Sequence, residues 1–92
     1  MKKMIVKYVL DQPQKTFDAQ AGKVVHVHEQ GGHPTIWVEA ELDEDHSFKP
    51  TVPRTFTAIP TGAPFESGSA WHVGTVFIDW MVWHVYEGEV QS

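Results

Sequence analysis

The sequence contains no cysteine, so neither a disulfide framework nor a thiolate metal site holds the chain together. Cations are scarce as well. Seven Lys and Arg stand against twelve Asp and Glu, a formal net charge of −5 that argues against the basic patch of a nucleic-acid binder. No apolar run approaches the ~20 residues of a membrane span. The start, Met1-Lys2-Lys3-Met4-Ile5-Val6-Lys7, is basic, but Lys7 breaks the apolar run that a secretory leader needs. Helical periodicity is almost absent. What these absences leave is a soluble, cytoplasmic, acidic chain of 92 residues, expected to form one domain over 1–92. A domain of that size buries only ~60% of its unfolded surface and is marginal alone. Four Trp, five Phe and two Tyr are a heavy aromatic load for it.

The apolar residues alternate or come in short β-branched runs, and Gly and Pro punctuate them every ten residues or so. This spacing predicts an all-β fold, a small antiparallel β-sandwich or partly open barrel of six to seven short strands. Strands are expected over 4–10, 15–18, 23–29, 34–41, 54–59, 70–78 and 81–86. Gln30-Gly31-Gly32-His33 reads as a hairpin because both glycines accept positive φ. On the return strand, Ile36, Val38 and Ala40 share one face, and Trp37, Glu39 and Glu41 the other. The stretch from Leu42 to Pro53 is charged and Pro-containing, a surface loop. Phe56 and Ala58 share a face of the next strand, and Pro60-Thr61-Gly62-Ala63-Pro64 turns it. A helical turn is expected near Phe65-Glu66. The last hairpin turns at Asp79-Trp80. Gly74, inside its first strand, marks a bulge or a close backbone approach. Residues 87–92 read as a polar tail.

Little here suggests catalysis. Ser47, Ser67, Ser69 and Ser92 all fall in loops or the tail, and none sits in Gly-x-Ser-x-Gly. Glu39 and Glu41 share a strand face, a geometry open to acid–base chemistry but more ordinary for a solvated surface. Asp43-Glu44-Asp45 offers at most a loose calcium contact, lacking the Gly and distal Glu of a helix–loop–helix site. His26-Val27-His28 places two imidazoles on one strand face, as metal chelation would require. The plainer reading puts that pair on the solvated face, with Val25 and Val27 packed inside, and no metal is assigned. The turn around Thr61-Gly62 can present backbone N–H groups to an anion. Trp37, Trp71, Trp80 and Trp83 exceed what so small a core can bury, which points to a subunit interface or a stacking pocket.

Several phrases resemble a family of short tailed-phage and prophage proteins known as a domain of unknown function. They are Ile5-Val6-Lys7-Tyr8, Ala21-Gly22-Lys23, Gly32-His33-Pro34-Thr35-Ile36-Trp37, Arg54-Thr55-Phe56 and Thr61-Gly62-Ala63-Pro64. The most specific is Gly74-Thr75-Val76 followed by Val82-Trp83-His84-Val85-Tyr86-Glu87. The resemblance runs nearly end to end. It implies a phage origin, the host cytoplasm and no enzyme signature. His26 and His28 are not part of the family pattern. Trp80 departs from it, since small residues are usual at that hairpin turn, and this suggests an added exposed contact.

The expected function is that of a non-enzymatic phage binding protein, a counter-defence sponge that sequesters a nucleotide-type immune signal in pockets formed by a homo-oligomer. Such a protein needs aromatic residues to stack a base and Arg or turn amides to hold phosphate. Arg54, Thr61, Gly62, Trp71, Trp83 and His84 are the candidate ligand-binding residues, with no cofactor, no nucleic acid and no membrane as partners. The interface is expected to include one or more of Trp71, Trp80 and Trp83. His84 lies on a strand whose two faces are both largely apolar. It is either a structural imidazole bonded to backbone or to a Thr such as Thr75, or a wall of the ligand pocket. The alternatives are a structural or assembly accessory of the phage, and a small metalloprotein built on His26 and His28.

Overall fold

β-Branched and aromatic residues alternating with polar ones fit a pleated, half-buried surface, and they do so here in seven strands. The computed structural model describes residues 1–91. The strands are β1 (Lys3–Val9), β2 (Gln14–Ala19), β3 (Lys23–Gln30), β4 (His33–Glu41), β5 (Val52–Pro60), β6 (Trp71–Ile78) and β7 (Met81–Glu87). All pairs are antiparallel, in one sheet of order β1-β4-β3 and another of order β2-β5-β7-β6. The fold is an open sandwich rather than a closed barrel. Two tight hairpins fall where the turn residues put them. Gly31 and Gly32 both take positive φ, 62° and 85°, and Gln30 pairs with His33. Asp79, at φ 56°, starts the other turn, and Ile78 pairs with Met81.

Period-two alternation decides which side chains meet between the sheets. Ile36, Val38 and Ala40 of β4 are buried, as are Phe56 and Ala58 of β5, Val76 of β6 and Val85 of β7. Tyr8 and Phe17 join the sheets across this core, with ring centroids 5.5 Å apart. The Tyr8 hydroxyl accepts a hydrogen bond from the Gln20 backbone N–H at 2.9 Å, pinning the crossover from β2 to β3. On the other side β6 comes down onto β3 at Gly74. A Cβ built there would lie 2.5 Å from Val27 Cβ, so only glycine permits the approach.

Three expectations need correction. Val25 does not pack inside. The register of β3 shifts between Val24 and His26, so Val25 is the extra residue of a bulge and is exposed, while Val24 and Val27 face the core. An inserted residue resets the two-residue parity for everything before it. No helical turn forms at Phe65-Glu66; instead Glu66 and Gln91 exchange backbone hydrogen bonds of 2.7 and 3.0 Å. The stretch after β4 is a surface loop with a turn of its own, in which Leu42 bridges Phe48 and His46 takes φ 66°. Asp45 holds that turn through the Ser47 N–H and hydroxyl. Finally, Glu87 is the last residue of β7 and is buried. Ser92, at the end of the expected tail, lies outside the described residues.

Candidate functional site

Trp71 and Glu87 are cross-strand partners at the open end of the β6–β7 pair, so their side chains share the inner face of the sheet. Arg54 reaches the same face from β5, two residues before Phe56. It is the chain's one arginine. Its guanidinium forms a bidentate pair with Glu87, Nε to Oε2 at 2.8 Å and Nη2 to Oε1 at 2.7 Å. Nη1 donates to the carbonyl oxygens of Gln20 and Gly22, both at 2.7 Å. Both side chains of the pair are about nine-tenths buried. Four of the five N–H donors of an arginine are thereby committed, and one on Nη2 remains. The guanidinium carbon also lies 5.6 Å from the Phe56 ring centroid.

This clamp forms the floor of a cleft of about 490 Å³. Gly22, Lys23 and Val24 line one side from the start of β3; Trp71, His72 and Val73 line the other from the start of β6. The bulges at Val25 and Val73 sit between the cleft and the close contact of Gly74 with Val27. A bulge bends its strand and strengthens the local twist, and here both bulged strands flank the opening of the cleft. Trp71 remains 57% exposed at the mouth. Lys23 lends the cleft wall its backbone: it pairs in register with Glu39, so its side chain lies on the outer face of the three-stranded sheet. The charges inside the cleft are the Arg54 guanidinium and the Glu87 carboxylate, paired with each other. His72 turns its imidazole to the outer face of the sheet, where Nε2 lies 3.1 Å from the Thr75 hydroxyl.

The candidate residues named from the sequence fall in three places. Arg54 and Trp71 meet in the cleft. Thr61 and His84 meet on the outer face of the same sheet, where the Thr61 hydroxyl lies 2.8 Å from His84 Nε2 and the Thr75 hydroxyl 3.4 Å from Nδ1. His84 is half-buried there, with both ring nitrogens partnered as a structural imidazole requires. The amides of the neighbouring turn are spent internally, Thr61 N–H on Val82 and Ala63 N–H on Pro60, and Gly62 stands in open space at φ 95°. Trp83 lies apart from both groups, packed on the core and lining a smaller pocket at the other end of the sandwich. Sequence reasoning missed Glu87. The signal for Glu87 was present in its parity with Met81, Trp83 and Val85, which places it on a core-facing row.

His26 and His28 project from the outer face of the three-stranded sheet with their rings stacked, centroids 5.7 Å apart, and His26 also tilts against Trp37 at 5.3 Å. Among the described residues no group of three or more His, Cys, Asp or Glu side chains converges on one point. Nor is any helix there long and apolar enough to cross a membrane.

A family model matches residues 1–92, the whole length of the chain. The chain belongs to the family Domain of unknown function (DUF7352). No curated protein and no solved structure matches it.

Proposed function

We propose that this DUF7352 protein is a non-enzymatic binding protein that takes a planar, anionic ligand of the nucleotide type, and that it works as a homo-oligomer. The observation that carries the reading is Trp71, more than half exposed at the mouth of a cleft whose floor is the Arg54–Glu87 pair. A ring stacked on the indole would place its anionic substituent toward the remaining Nη2 donor of Arg54. The cleft volume of about 490 Å³ lies within the range of small-molecule sites. No side chain lining it is paired as a nucleophile with a base, which supports binding over catalysis. The resemblance to short tailed-phage and prophage proteins supplies a setting: capture of a nucleotide-type immune signal in the host cytoplasm.

The test is a thermal-shift and calorimetric screen of mono-, di- and cyclic nucleotides and ADP-ribose derivatives, with Trp71→Ala as control. Base–aromatic stacking is worth ~1–3 kcal/mol, so Trp71→Ala should weaken binding about 5- to 150-fold without lowering the melting temperature. An absence of binding across the panel overturns the reading. A second reading, an assembly subunit of the phage, is favoured by a different observation. Trp80 and Phe77, at the β6–β7 hairpin, are 85% and 73% exposed. Stoichiometric presence in purified virions would decide for it.

A further inference from the structure

The β6–β7 hairpin carries Trp80 and Phe77 into solvent beside an apolar pocket that neither of them fills. That pocket has a volume of about 190 Å³ and is walled by Pro13, Pro34, Ala58, Ile78 and Trp83. It opens at the end of the sandwich, where the β1–β2 connection, the β3–β4 turn and the β6–β7 hairpin converge. An engineered apolar cavity of ~150 Å³ already accepts benzene, so the larger space here admits the two fused rings of an indole. We infer that Trp80 of one copy seats in the end pocket of a second copy, and that the exchange is reciprocal, giving a twofold dimer. This rests on the homo-oligomer part of the reading above and is independent of the ligand.

Three observations favour a second copy over another occupant. First, anchor and receptor lie on the same end of one chain, Ile78 in the pocket wall and Trp80 two residues on. A twofold axis can therefore satisfy both contacts at once, as isologous interfaces require. Second, the rim matches the anchor chemically. Asp79 precedes Trp80, while His33 stands on the pocket rim, so the exchange sets a carboxylate against an imidazole. Asp11, also on the rim, already accepts from Lys15 at 2.9 Å. It retains lone pairs for the indole N–H, which needs a partner when buried. Third, Trp80 has almost no cover in its own chain: at 85% exposure, most of the ~150–250 Å² of an aromatic side chain is left for the exchange to bury.

Sedimentation and NMR on isotope-labelled protein test the contact. The wild type should sediment as a dimer at micromolar concentration. Trp80→Ala, a change at an exposed turn, should keep the fold while weakening dimerisation at least about 30-fold, as loss of a hot-spot anchor does. On that monomeric variant, free 3-methylindole should shift the Trp83 indole N–H signal and leave that of Trp37 in place. A monomeric wild type sinks both this inference and the homo-oligomer reading. A dimer that survives Trp80→Ala, or a Trp83 signal unmoved by 3-methylindole, overturns the contact alone.

Discussion

Replacing Arg54 with Met removes the charge while keeping a long apolar stem, and it strips four hydrogen bonds from the floor of the cleft at once. Glu87 loses both of its partners, and the carbonyls of Gln20 and Gly22 lose theirs. The two side chains of the pair are only 11% and 10% exposed, so solvent compensates little. Removing one member of a buried pair typically costs ~3–5 kcal/mol. A chain of this length has about 5–14 kcal/mol of stability in total, at 0.05–0.15 per residue. Arg54→Met should therefore remove about a fifth of it or more and lower the melting temperature by at least about 12 °C. The double variant Arg54→Met with Glu87→Leu leaves no stranded charge, and replacing both partners by apolar groups is often nearly neutral. It should thus be more stable than Arg54→Met alone. Urea denaturation followed by tryptophan fluorescence measures both. A loss below ~1 kcal/mol for the single variant would place the pair with ordinary surface salt bridges and refute its role as the clamp between β5, β7 and the β2–β3 crossover.

Other outcomes follow from the same geometry. Gly74→Ala should cost ~1–3 kcal/mol by overpacking, and Val27→Ala should not rescue it, because the nearest atom is Val27 Cβ itself; rescue by Val27→Ala in a double-mutant cycle would show that the strands move apart instead. His84→Ala should cost about 1 kcal/mol through the lost Thr61 and Thr75 hydrogen bonds, read as a drop in melting temperature; an unchanged or raised value would remove its structural role. Hydrogen bonds from Lys15 to Asp11, from Lys3 to Glu39 and from Ser47 to Asp45 hold those three carboxyls below the usual range. Their stabilisation is present above about pH 5 and drains away as pH falls through and below ~4. NMR titration of Lys3→Met should show the Glu39 midpoint rising toward the ordinary value, and an unmoved midpoint would contradict the pairing.

The strands were legible because β-branched alternation and turn residues agree. Gly31-Gly32 and Asp79-Trp80 turn where their chemistry requires. Parity alone placed Ile36, Val38, Phe56 and Ala58 inside. Parity failed at Val25, since alternation of Val25 and Val27 carries no mark of the inserted residue that makes Val24 and Val27 the inward pair. The cleft was legible only in pieces. Arg54 and Trp71 stood out by type, but Glu87 is 33 residues from Arg54, and their meeting depends on β7 lying between β5 and β6. That pairing order is set by the whole sandwich and not by local pattern. For the same reason Trp83 and His84, adjacent in sequence, point to opposite faces of β7 and cannot serve one pocket.

The four tryptophans occupy four different surroundings: the cleft, the hairpin tip, the end pocket and the outer face of the three-stranded sheet. The most direct measurement is a titration of isotope-labelled protein with ADP-ribose and a cyclic nucleotide, observed at the four indole N–H signals. The account predicts that the Trp71 signal shifts and saturates while those of Trp37, Trp80 and Trp83 stay in place. A Trp71 signal that does not move, whether or not another tryptophan responds, would contradict it.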